Sequence, residues 1–178
     1  MSIRKTLYSS VMAACAILTA LGTGGCGGGV STTADAPGGT SPAPKAVITL
    51  STNGTLSAGT AIGGLGVTVD LPDTVTVKTT AGGTVESGVV VTSGVAAGQA
   101  TVLALYSGAT ATAPAKLYLV LAGGSSGMPV GEFATVTCDV KSGVKPAGSD
   151  FILNDFSAVD TSGVAIPSLT AGLSETVQ

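Results

Sequence analysis

Histidine is missing from all 178 residues of this chain, and that absence limits its chemistry more than any residue present. Neither a Ser-His-Asp nor a Cys-His nucleophile can be assembled, and the commonest transition-metal ligand is lacking. Of the three cysteines, Cys138 sits in the alternating run ATVTCDV, with Ala134, Val136 and Val140 on its own face. That placement makes it a small core hydrophobe, since a reactive thiol needs exposure and a cationic neighbour. Asp150, Asn154, Asp155 and Asp160 cluster within eleven positions, a composition that invites calcium. Their spacing lacks the Asp-x-Asp-x-Asp-Gly loop closed by a Glu, so turn and strand-end roles are expected, with no metal and no cofactor. Glu86 and Glu132 invite comparison with a glycosidase carboxylate pair. Nothing in the chain brings them together, and aromatic platforms for sugar rings are scarce. The expectation is a protein with no catalytic residues.

Charge excludes another class. Arg4 and Lys5 precede residue 26, which leaves five lysines against ten acids downstream and a net charge of −5. No basic stripe is available to neutralise phosphates, and the five downstream aromatics are not interleaved with Lys, so nucleic acid is not an expected partner. Charged residues make up 10 % of the chain and mean hydropathy is +0.58. Even so, the uncharged run from Val89 to Ala115 is interrupted by Gly94, Gly98, Gln99, Gly108 and Pro114. It is too rich in Thr, Ser and Gly for a spanning helix, which needs about 20 predominantly apolar residues.

The elements that must position any site are strands. In residues 116–140, KLYLVLAGGSSGMPVGEFATVTCDV, two alternating runs flank a Gly/Ser/Pro connection. Leu117, Leu119 and Leu121 share one face, and Lys116, Tyr118 and Val120 share the other. In the second run Ala134, Val136, Cys138 and Val140 oppose Phe133, Thr135, Thr137 and Asp139. Period-two alternation puts successive side chains on opposite sides of a sheet. Upstream, AVITLST from Ala46 to Thr52 meets Asn53-Gly54, a type I′ turn signal, with Thr55–Ile62 as the returning strand. Leu65–Leu71 alternates with Val67, Val69 and Leu71 inward and Thr68 and Asp70 outward, and ends at Pro72-Asp73. Val75–Lys78 reads as a short strand, Val89–Val91 as a buried one and Gln99–Ser107 as another. Phe151–Ala158, Val164–Ile166 and Leu169–Val177 close the chain. About nine short strands without a helix predict an all-β sandwich over residues 46–178, long enough to bury one core without disulfides.

Ahead of it, residues 1–25 have the layout of an export signal: Arg4 and Lys5, an apolar stretch from Leu7 to Leu21, then small residues. Thr23-Gly24-Gly25-Cys26 resembles the lipobox of bacterial lipoproteins, with Thr23 where the box prefers Leu. Cys15, after Met12-Ala13-Ala14, is a weaker match. The resemblance implies acylation of Cys26 and, with Gly27 next, an outer-membrane lipoprotein facing the periplasm or the cell surface. The alternative is plain secretion. Residues 26–45, rich in Gly, Ser, Thr and Pro, read as a tether.

Within the domain, GVTVDLPDTVTV from Gly66, then KLYLVLAGGSSG followed by GEFATVTCDV, then DFILNDFSAVDTSGVAI, stand in an order similar to that of cohesin modules. Those modules have a proline corner, an apolar strand, a Gly/Ser crossover before Phe-Ala, and closing Phe-containing strands with an Asp-x-x-Gly turn. The resemblance implies a cohesin-like β-sandwich of jelly-roll type that receives a protein partner on a flat sheet face. The residues that fit such a face are Tyr118 and Val120, beside Thr135 and Thr137 on another strand and Thr68 on a third; Tyr is a favoured interface anchor. The expectation is a non-catalytic scaffold or protein-binding module, held on the membrane by its lipid and meeting another extracytoplasmic protein. Two alternatives stay open: a carbohydrate-binding module taking a polysaccharide, and a structural subunit that assembles by strand addition.

Overall fold

Leu117, Leu119 and Leu121 are fully buried, as are Ala134, Val136 and Cys138, but the two rows belong to different sheets. In the computed structural model, which describes residues 43–178, nine strands form two antiparallel sheets. They are β1 (Lys45–Gly54), β2 (Ile62–Leu71), β3 (Val75–Thr76), β4 (Val90–Thr92), β5 (Ala100–Ser107), β6 (Ala115–Gly123), β7 (Glu132–Val140), β8 (Ile152–Asp160) and β9 (Leu169–Val177). One sheet runs β5-β6-β2-β8. The other runs β3-β7-β1-β9, with β4 pairing β7 beside β3. The two form an all-β sandwich. Ile48 and Leu50 of β1 and Val136 of β7 face Val67, Val69, Leu71 and the β6 leucines across a core of Val, Leu and Ala. Full burial of each Val, Leu or Ile side chain stabilises the fold by about 1.5–3 kcal/mol. Among the described residues no helix is long and apolar enough to cross a membrane. The expected signal segment, residues 1–25, Cys26 and most of the tether lie outside the described residues.

Several local expectations are corrected. Asn53-Gly54 does not turn a hairpin: β1 continues through Gly54, pairs with β7 and β9, and the chain then crosses to the other sheet to begin β2. Positions 55–61 form no strand. β4 is a three-residue edge piece with Val91 46 % exposed, not a buried strand. Val164–Ile166 makes a single bridge, Val159 to Ala165, and no strand.

Phe133 departs from the alternation of β7 because of a bulge. Leu50 pairs with Ala134 and Ser51 with Glu132, so Phe133 is the extra residue between them. The extra residue swings its ring out of the outward row, and both Phe133 and Ala134 become buried. β8 carries a second bulge: pairing steps from Gly66–Ser157 to Thr68–Asn154, and Asp155 takes φ of +51°. Asp tolerates that left-handed conformation better than most residues.

Candidate functional site

Cross-strand register on the β5-β6-β2-β8 sheet places the outward side chains in four rows. Ser107, Lys116, Asp70 and Ile152 form the first, and Leu105, Tyr118, Thr68 and Asn154 the second. Leu103, Val120, Gly66 and Ser157 form the third, and Thr101, Ala122, Gly64 and Val159 the fourth. On β5 and β6, Leu103 (59 % exposed), Leu105 (54 %), Tyr118 (41 %) and Val120 (54 %) make a contiguous two-by-two apolar block. Beside this ridge, β2 offers glycine at two successive outward positions. A shallow groove of about 270 Å³ runs there, walled by Val120, Ser157 and Val159 and floored by Gly64 and Gly66. At the end of the face Lys116 Nζ donates to Asp70 Oδ1 at 2.7 Å, and that hydrogen bond holds the ammonium pKa above its ordinary value.

The sequence-derived candidates divide. Tyr118 and Val120 stand at the centre of this face. Thr68 is on it too, yet only 4 % exposed, because it lies on a central strand between Tyr118 and Asn154; outward direction on a middle strand does not bring exposure. Thr135 and Thr137 are on β7, in the other sheet. Outward from that sheet means the opposite side of the sandwich, so they cannot share a surface with Tyr118. The exposed large side chains that share the face with Tyr118 and Val120 are Leu103, Leu105 and Ile152. The alternation of Gln99–Ser107 carries the signal for the two leucines. Their outward setting was hidden because Val102, Ala104 and Tyr106 on the other side are also apolar.

Elsewhere two carboxylates close turns. Asp160 Oδ1 accepts from the Ser162 and Val164 N–H groups at 2.8 and 2.9 Å, closing its own turn. Asp150 Oδ2 accepts from the Ala147 N–H at 2.9 Å. Among the described residues no group of three His, Cys, Asp or Glu stands close enough to hold a metal ion. Cys138 is fully buried, and burial, with a smaller contribution from Asp139, pushes its thiol up to about 12, so the nucleophilic thiolate is scarce near neutral pH. Glu132 opens β7, while Glu86 lies in the connection before β4, its N–H bonded to the Lys78 carbonyl.

No family model, curated protein or solved structure matches the chain.

Proposed function

We propose that this protein is a lipid-anchored extracytoplasmic module without catalysis, which docks another protein on the outer face of the β5-β6-β2-β8 sheet. One observation carries the docking reading. Of the seven large hydrophobics exposed among the described residues, five (Leu103, Leu105, Tyr118, Val120 and Ile152) lie on that single face. Scattered surface hydrophobics are ordinary, whereas a contiguous apolar block with a polar rim marks an interaction surface. The cohesin-like part of this reading rests on the order of residues from Gly66 onward, in which a Gly/Ser connection follows β6 and precedes Phe133-Ala134.

The docking test is affinity capture with the full chain, repeated with Tyr118→Ala. A central aromatic anchor contributes about 2 kcal/mol or more when truncated, so capture falls roughly thirtyfold. Unchanged recovery would remove this face from consideration. The anchor rests on Thr23-Gly24-Gly25-Cys26 and the small residues around it. Two or more acyl chains, at about 0.8 kcal/mol per buried methylene, hold a protein firmly on a bilayer. Cys26→Ala is expected to shift the protein from the membrane pellet to the soluble fraction, and retention in the pellet argues against acylation.

A further inference from the structure

We propose that the protein docked on this face is a second copy of the same chain, related by a twofold axis parallel to the strands between β6 and β2. The inference rests on the docking reading above and identifies its partner. A twofold interface uses one patch twice, so the patch must offer both a feature and its complement. This face does so on the two sides of one line. β5 and β6 carry the ridge of Leu103, Leu105, Tyr118 and Val120, and β2 and β8 carry the groove over Gly64 and Gly66.

Rotation about that line keeps each residue at its height along the strands and exchanges β6 with β2 and β5 with β8. Val120 of one copy then stands over Gly66 of the other, where no side chain occupies the space, and Leu103 stands over Ser157. Tyr118 meets Thr68, and Leu105 meets Asn154. The same rotation sets Lys116 of each copy over Asp70 of the other. Two ion pairs that are internal in the free chain become a four-membered cluster of alternating sign. Shape and charge are thus satisfied by one operation. An axis across the strands would instead oppose ridge to ridge.

The size also fits. Four strands about 4.8 Å apart and eight residues of about 3.4 Å rise give a flat footprint of roughly 500 Å². Side-chain relief raises the accessible area toward the ~800 Å² per partner of a standard interface. The strands of the two copies run nearly aligned, the usual arrangement of stacked sheets.

Sedimentation equilibrium of the full chain in density-matched detergent tests this. The mass should double as concentration rises through the micromolar range, and a chain that stays monomeric to about 100 μM overturns the proposal. Val120→Arg, at an exposed position that the fold tolerates, should weaken association at least about tenfold, the loss of one buried anchor; unchanged association overturns the assigned face. Asp70→Lys makes this part of the face wholly positive, and Lys116→Asp makes it wholly negative. Each alone should fail to pair with itself, and an equimolar mixture should regain dimers. Failure of the mixture overturns the twofold arrangement. A monomeric chain that still captures a different protein through Tyr118 would end the self-association proposal and leave docking standing. A monomeric chain whose captures ignore Tyr118→Ala would end both.

Discussion

Phe133→Ala is expected to destabilise the domain by about 3–5 kcal/mol, the range for emptying a core aromatic site. Chemical denaturation would read the loss directly, and for a domain of this size it lowers the melting temperature by about 10 °C. The prediction discriminates because strict alternation along β7 assigns Phe133 to the outer face with Thr135 and Thr137. At an exposed sheet position the same change would alter stability by no more than about 0.5 kcal/mol. The ring is instead 1 % exposed, since the bulge opposite Leu50 and Ser51 inserts it into the interior. The 3₁₀ turn Gly94–Ala96 lies against this end of β7, with the Ser93 N–H bonded to the Phe133 carbonyl at 3.1 Å and Ala96 fully buried. The β7 backbone at this position is therefore held by β1 along one edge and by the Ser93 segment along the other, which limits how far the cavity left by Ala can collapse. Phe133→Leu, which keeps most of the volume, should cost less than about 1.5 kcal/mol.

What could be read from the sequence, and what could not, follows the range over which each feature is decided. The inward rows Leu117/Leu119/Leu121 and Val67/Val69/Leu71 are set by local alternation and were legible, as was the two-layer all-β class. Bulges are not legible in this way, because one extra residue inverts the pattern with no composition cue, as at Phe133 and Asp155. The candidate face needed knowledge of a third kind. Alternation assigns Tyr118 and Thr137 to outward positions but does not say that outward points in opposite directions for the two. That depends on the connection between β6 and β7 crossing from sheet to sheet, a consequence of long-range pairing. β5 shows the same gap in another form. Leu103 and Leu105 are more apolar than Ala104 and Tyr106, yet it is the leucines that face solvent. Burial lifts the Tyr106 phenol above its ordinary pKa on the inner side. An edge strand whose two faces are both apolar takes its orientation from its neighbour, and here β6 imposes it through the pairing of Leu105 with Tyr118 and Leu103 with Val120.

Gly54→Ala is the second substitution with a large expected effect, a loss of about 3 kcal/mol or more. Two independent costs meet at this position. Its φ of +124° lies in a region that side-chain-bearing residues rarely occupy, a strain of about 1–3 kcal/mol. A Cβ there would also stand 2.4 Å from the Ser168 carbonyl oxygen, a backbone atom that cannot rotate away. Nor can the segment shift freely. Gly54 is in register with Leu169 at the start of β9, and Ser168 Oγ donates to the Thr55 carbonyl at 3.0 Å, tying the two chain segments together. Relief would require β9 to separate from β1 at that end, and with it the burial of Leu169, which is 5 % exposed. Gly59→Ala is the matched control. Its φ is +80° with no atom within 4 Å of a new Cβ, so only the conformational cost of about 1–2 kcal/mol applies. If Asn53-Gly54 were the exposed hairpin turn that its dipeptide signals, the two substitutions would cost the same. A stability difference of at least about 1 kcal/mol between them, measured by urea denaturation, identifies Gly54 as the point where β1 and the approach to β9 touch backbone to backbone. Equal losses would contradict that close approach.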